Sequence, residues 1–527
     1  MKTKVDNLVG KARVYHPNEG VRRASDATVG VAKMKNMYID RCTGTLSSFP
    51  GYRSLADFGG KIHTILSVTH EKKEYIYLHA GEGLYRFPKE ERDVIGKLKP
   101  IAYLGDTESV GLSLGDRLII STADSIAMIQ SDGSLRFADH PQKSAKCTAM
   151  AVYDKRLFFA VGEKIVYSTP FEDSLPECLY DGEISGIGAQ ITALLSGDGG
   201  LWVFSNSGVT RLVKCSSITE PYTANRYISG ISCLGGGIFS SGRLIFLSDG
   251  CINLLDDKLK LIQTALINTA SRIVGMFESY AVILSGNAIL LFDTLNPNGA
   301  IFPLSGIGSY SNERRVYRDS SINYEGFDKH PKPGSVASGE IISFTDADGQ
   351  TVYYEKRGRK KYRVRATEEF SGGIYHPINA ILCSGGLFLL GSESGELLMV
   401  NSDKRGKDGR IQKKYYAFGR RAAEYIIEFH RDNCDLDGLT KDTLPASLTL
   451  KLLPRKGSKI DLKVVCDGRT VYSKMLPADR ASVTASERQC GWIEKRIIIS
   501  GRYFASPIFL RSVSFRYKVG GRVRNTI

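Results

Sequence analysis

Hydrophobic positions along this chain fall in short runs, each cut by a polar or glycine-bearing turn and followed by a second run. Seven segments share the design: "IYLHAGEGLYRF" from Ile76, "LIISTADSIAMI" from Leu118, "LFFAVGEKIVYS" from Leu157, "LWVFSNSGVTRL" from Leu201, "LIFLSDGCINLL" from Leu244, "AVILSGNAILLF" from Ala281 and "LFLLGSESGELLMV" from Leu387. Turns such as "SDG", "GEG" and "SGN" supply residues that tolerate positive φ, which tight hairpins need. The first six segments recur at roughly 40 residues, the period of β-propeller blades. Several follow another apolar strand: "KIHTILSV", "CTAMAVY", "QITALLS", "SRIVGMF" and "HPINAILC". Strand, loop, strand, turn, strand describes an antiparallel blade. Continuous apolar runs fit strands buried on both faces, as stacked blades are. A helical reading fails because the runs are short, rich in Ile, Val and Phe, and interrupted by glycine.

The seventh unit arrives late. Between about 296 and 371 the chain reads as an excursion, first polar and aromatic, then a hairpin about Asp348-Gly349 leading into "KRGRKKYRVR". From about Tyr415 the strands lengthen and alternate with period two. Leu448, Leu450 and Leu452 point one way, Thr449 and Lys451 the other, which suggests a β-sandwich or sheet platform. The expected organisation is an N-terminal ribbon over 1–58, a propeller over 59–414 carrying the insertion, and a platform over 415–527. The fold class is all-β: a propeller of six to eight blades plus a C-terminal sandwich or platform completed by the N-terminal ribbon.

Composition adds little to that picture: 527 residues, 42% hydrophobic and 24% charged, are ordinary for a globular protein. No apolar run approaches the roughly 20 residues of a membrane helix, and "MKTKVDNLVGKARVYHP" lacks the apolar stretch of a signal peptide. The ten cysteines are scattered without a C-x-x-C pair, so free thiols in a reducing compartment are expected rather than a disulfide framework or zinc site. The net charge of +15 does change the picture, because it favours polyanionic partners, whether nucleic acid or acidic protein.

Candidate chemistry is sparse. "GLSLG" around Ser113 formally matches a nucleophile elbow, but another strand follows it where a helix is required. "DADGQTVYYE" from Asp346 misses the EF-hand spacing and reads as a hairpin. The eight histidines form no H-E-x-x-H pattern, and His63 and His70 read as ordinary strand residues. No catalytic residue, metal site or cofactor is expected. The basic run is the one candidate site: Lys356, Arg357, Arg359, Lys360, Lys361, Arg363 and Arg365, around Tyr362, can neutralise phosphates without reading bases, or meet an acidic partner. A second basic stretch, "SDKRGKDGRIQKKYY", follows the seventh unit. The bland reading of both is a pair of solvated hairpin tips.

The stretch "NMYIDRCTGTLSSFPGYRSL" opens the organised part of the chain. With the repeats and the basic terminal strands "EKRIIISGRYFASPIFLRSVSFRYKV", it resembles the tail nozzle proteins of short-tailed bacteriophages, also called packaged-DNA stabilisation or head-completion proteins. Asn36, Tyr38, Gly44, Phe49, Pro50 and Gly51 carry the opening match. "ITALLSGDGGLWVFSNSGVTRL" and "GGGIFSSGRLIFLSDGCINLL" are similar to two of the family's blade segments. The resemblance implies a non-enzymatic virion component, assembled in the host cytoplasm. It would form a hexameric ring below the portal and adaptor, meet distal tail or fibre proteins, and line the path of ejected double-stranded DNA. The alternatives are a propeller-type receptor-binding tail protein and a glycosidase-like propeller enzyme.

Overall fold

The computed structural model describes residues 11–15, 31–41, 43–89, 98–138, 146–172, 174–217, 220–255, 261–266, 271–286, 288–295, 300–311, 316–318, 340–345, 351–357, 360–366, 374–384, 387–400, 417–418, 421–434, 439–454, 458–503 and 508–522. These residues contain strands and turns and no helix. They form two compact units, Gly308–His376 and the remainder of the chain.

The larger unit holds a seven-bladed β-propeller. Six blades are consecutive four-stranded antiparallel sheets whose inner strands are Ile62–His70, Val110–Leu114, Cys147–Tyr153, Ile191–Gly197, Gly237–Ser240 and Arg272–Phe277. The seventh combines Ile378–Ser384, Leu387–Ser392 and Glu396–Val400 with Tyr52–Asp57, which pairs antiparallel with Glu396–Val400. A strand from the start of the chain thus completes the last blade. The blade number, seven, falls within the expected six to eight.

The apolar runs are continuous because each blade buries both faces. In the third blade Phe158 packs toward the fourth, while Phe159 packs toward the second. Successive side chains of a strand point to opposite faces, so one strand feeds two seams. Each seam has an apolar cluster, including that between the seventh blade (Leu389, Leu397) and the first (Ile62, Ile76), and only the seam between the sixth and seventh blades shares its cluster with other sheets. That closing seam is tight: a Cβ on Gly391 would lie 2.4 Å from Ile62 Cγ2.

Two further sheets build on the ring. In one, Met37–Asp40, Thr45–Ser48, Phe509–Arg522, Leu448–Leu452 and Ser482–Ala485 lie side by side. Leu448, Leu450 and Leu452 are buried on its inner face, matching the alternation in the sequence. In the other, Val31–Lys35, Arg421–Phe429, Lys495–Tyr503, Lys459–Cys466 and Arg469–Pro477 are neighbours. Both sheets share one apolar core with the sixth and seventh blades. The second sheet also runs into the seventh blade, through Ala417–Phe418 and a parallel bridge from Phe418 to Tyr52.

The opening stretch is the joint. Met37–Asp40 and Thr45–Ser48 form its hairpin, with Gly44 at φ +62° in the turn. Pro50 and Gly51 are buried where the chain leaves the first sheet and enters the seventh blade. Asn36, at φ +55°, is 1% exposed and bonds in three directions. Its backbone N–H reaches Pro303 O at 2.9 Å, its Oδ1 accepts from Ser305 N at 2.8 Å, and its Nδ2 donates to Glu424 O at 2.7 Å. Phe49 is fully buried, edge-on to Tyr38 at 5.6 Å and in contact with Phe277 of the sixth blade and Phe388 of the seventh. Arg41 pairs with Asp293, and Tyr280 Oη donates to Ile39 O at 2.8 Å.

A buried ion pair lies beside this core. Lys495 and Glu487 are 0% and 2% exposed and 2.8 Å apart. The ammonium also donates to Thr443 Oγ1 at 2.6 Å and faces the rings of Trp492 and Phe515.

Candidate functional site

Two surfaces collect charge, one in each unit. In the smaller unit, Val316–Arg318, Lys360–Ala366, Thr351–Arg357 and Glu340–Thr345 form a four-stranded sheet in that order. Its register divides the basic run. In the backbone ladder Lys356 pairs with Lys361, and Arg357 with Lys360. Lys356, Lys361 and Arg363 are exposed, while Tyr362 and Glu355 are buried. Glu340 is the backbone partner of Lys356 on its other side. Arg365 pairs with Tyr317 in the backbone ladder. Arg359, the Asp348-Gly349 turn and the second basic stretch lie outside the described residues.

The second surface is the axial opening of the propeller, where the inner strands begin. There the blades are laced by side chains that donate to the carbonyls opening the next blade. Thr64 Oγ1 reaches Ser109 O at 2.9 Å, Thr148 Oγ1 reaches Ile191 O at 3.0 Å, and Thr192 Oγ1 bonds Cys233 O. Arg272 bonds Asn379 O, and Asn379 Nδ2 reaches Ile62 O at 2.9 Å. In five blades the first pairing slips by a β-bulge, at Ile62/Thr64, Cys147/Ala149, Ile191/Ala193, Ile273/Gly275 and Ile378/Ala380. A bulge re-aims a side chain, and here Thr148, Thr192 and Asn379, the extra residues, turn toward the neighbouring blade. The recurring "CTA", "ITA" and "INA" triplets were the sequence signal for this lacing.

The first blade carries a polar cluster that a linear reading of its histidines misses. His63 Nε2 lies 2.8 Å from Asp106 Oδ1, and its ring lies 4.7 Å from that of His79. His79 is fully buried. Its Nε2 faces Gly105 O at 3.1 Å, so that nitrogen carries the proton and Nδ1 accepts from Ser109 Oγ at 2.8 Å. Burial, then the neighbouring His63, pushes the His79 imidazole down to about 4. A serine against such a histidine has the outline of a nucleophile and base, but a base of that strength is poorly matched to neutral pH. The cluster instead ties the first blade to the strand that opens the second. Ser113 lies in the inner strand of the second blade and donates to Ser67 O, with no elbow geometry.

Charged groups ring the same opening. Lys146 Nζ donates to Glu108 Oε2 at 2.5 Å. That bond, with Lys61 and Arg272 contributing further off, holds the Glu108 carboxyl below the usual carboxylate range. A glycosidase general acid needs the opposite shift.

No family model matches the chain, and no curated protein matches it. Solved structures similar to it include the Neurospora crassa Pan2 WD40 domain, at 12% identity over 68% of this chain and 98% of that one, with a TM-score of 0.37. Virginiamycin B lyase from Staphylococcus aureus is similar at 12% identity over 66% of this chain and 97% of that one, TM-score 0.36. BamB from Moraxella catarrhalis is similar at 10% over 67% and 97%, TM-score 0.34. The chain itself is an all-β protein built on a seven-bladed propeller.

Proposed function

We propose that this protein is a structural virion component, a subunit of the tail nozzle ring of a short-tailed phage, which retains packaged DNA and conducts it during ejection. The observation that carries the reading is the joint at the opening stretch. Asn36, Tyr38, Phe49, Pro50 and Gly51, five of the six residues that with Gly44 carry the opening match, lie where the sixth and seventh blades meet the two adjoining sheets. A ring subunit under outward pressure needs a stiff body. A blade closed by an N-terminal strand and continued into a second sheet supports that requirement.

In this reading the subunits form a hexamer that docks on the portal–adaptor complex and meets distal tail or fibre proteins. Double-stranded DNA passes through the hexamer axis, not through the propeller of one subunit. The basic sheet, Lys356, Lys361 and Arg363, offers phosphate or acidic-protein contact from the smaller unit. The test is a phage carrying a nonsense mutation in this gene. Its capsids are expected to package DNA and then lose it, and added purified protein to restore retention. Full retention and infectivity without the protein would overturn the proposal.

A second reading, a receptor-binding tail protein, draws on exposed aromatic residues at the outer edges of three successive blades: Tyr103, Phe137 and Tyr180. Loss of host-cell adsorption with intact DNA retention, on replacing these three by serine, would favour it.

A further inference from the structure

The axial opening of the propeller has a composition that neither reading uses. Three cations reach it from three blades: Lys61 at the start of the first, Lys146 at the start of the third and Arg272 at the start of the sixth. They sit at one level of the ring. Arg272 bonds Asn379, which bonds the carbonyl of Ile62, the residue after Lys61. On the other side Lys146 bonds Glu108, which lies on the segment tied to the first blade by Thr64 and His79. Among the described residues, one carboxylate, Glu108, is bonded to one of the three cations, while Asp106 is engaged with His63. The influence of Lys61 and Arg272 on the Glu108 carboxyl agrees with this convergence.

The site is also braced. A single guanidinium nitrogen of Arg272 takes both Asn379 O and Asn379 Oδ1. A guanidinium carries five N–H donors, so most of its donor capacity stays directed elsewhere while its position is fixed. Pre-organised donors lose little entropy on binding, and a planar fork suits phosphate-like geometry.

We infer that the axial opening of this propeller binds a compact multivalent oxyanion of the phosphate or pyrophosphate class, held by Arg272, Lys61 and Lys146, with Glu108 as the internal competitor that occupies Lys146 when no ligand is bound. The inference is independent of the nozzle reading. It assigns opposite signs to neighbouring residues: loss of a cation weakens binding, and loss of the Glu108 charge strengthens it.

The test is calorimetric titration of the full chain with pyrophosphate at low ionic strength. Saturable one-to-one binding is expected. Arg272→Gln and Lys61→Gln should each weaken it about tenfold or more, the loss of roughly 1.4 kcal/mol or more. Glu108→Gln should tighten it severalfold. Lys356→Gln with Lys361→Gln, in the smaller unit, should leave it unchanged. Lys61→Gln decides the matter if Arg272→Gln proves poorly folded by circular dichroism. No saturable binding, unchanged binding in Lys61→Gln, weaker binding in Glu108→Gln, or equal loss in the basic-sheet variant would each overturn the inference.

Discussion

Asn36 donates from its side-chain amide to the main-chain carbonyl of Glu424 at 2.7 Å, across 388 residues of sequence. Its carbonyl oxygen at the same time accepts from the backbone of Ser305 in the sixth blade. One buried amide therefore joins the opening ribbon, the propeller and the second platform sheet. Replacement by alanine strands a buried donor and a buried acceptor and places alanine at φ +55°. The expected cost is about 3 kcal/mol, measured by urea unfolding. Asn36→Asp should not rescue it, because the Glu424 carbonyl then loses its donor. An alanine variant within about 0.5 kcal/mol of the native protein would show that the joint does not depend on this residue.

Ring closure is tested at Gly391. A methyl there runs into Ile62 across the seam between the last blade and the first. Gly391→Ala should destabilise by about 1–3 kcal/mol. Ile62→Ala, which removes the clashing Cγ2, should cost less in the Gly391→Ala background than in the native protein. An equal cost of Ile62→Ala in both backgrounds would contradict the geometry of the seam.

The His79 cluster makes stability depend on pH with a defined sign. Folding holds the imidazole neutral down to about 4, against 6.5 in the unfolded chain. As pH falls, the unfolded chain takes up the proton first. The stabilisation is complete above about pH 6.5 and is lost progressively toward pH 4, by on the order of 3 kcal/mol. Urea midpoints across that window should fall for the native protein and fall less steeply for His79→Gln.

The buried Lys495–Glu487 pair should behave as a unit. Lys495→Met alone leaves a carboxylate with 2% exposure and no counter-ion, and should cost about 3–5 kcal/mol. The double variant Lys495→Met with Glu487→Leu should cost less than that single change. Strict additivity in a double-mutant cycle would mean that the two side chains do not interact.

For the basic sheet, the expected signature is electrostatic. If it meets DNA in the assembled particle, Lys356→Gln with Lys361→Gln should lower the slope of log affinity against log salt by about 1.8, for two phosphate contacts. Fluorescence anisotropy with a double-stranded oligonucleotide measures this, and an unchanged slope removes these two lysines from the DNA path.

The propeller was legible because runs such as Leu157–Val161 are apolar at every position, which only a strand buried on both faces requires. The closing strand was harder to see. Tyr52–Asp57 has a mixed pattern with three exposed positions, and its place is set by Glu396–Val400, far along the chain. The lacing of the axial opening hid for another reason. Its bonds join residues from 41 to 317 apart, several of them through bulged positions, where period-two alternation breaks. Thr148 and Asn379 look like ordinary polar strand residues until neighbouring blades are side by side. Lys356 and Arg357 are neighbours in sequence but belong to successive cross-strand pairs, Lys356 with Lys361 and Arg357 with Lys360, which only the strand register shows. Asn36, Tyr38 and Phe49 stood out in the sequence only through the resemblance. Their contacts give that pattern a physical reason, since each is buried between elements that are distant in sequence.

The most direct test of the nozzle account is electron microscopy of the purified protein incubated with the portal–adaptor complex. The account predicts a six-fold annulus with an axial hole, docked at the adaptor end. A monomer that persists at every concentration and never docks would contradict it.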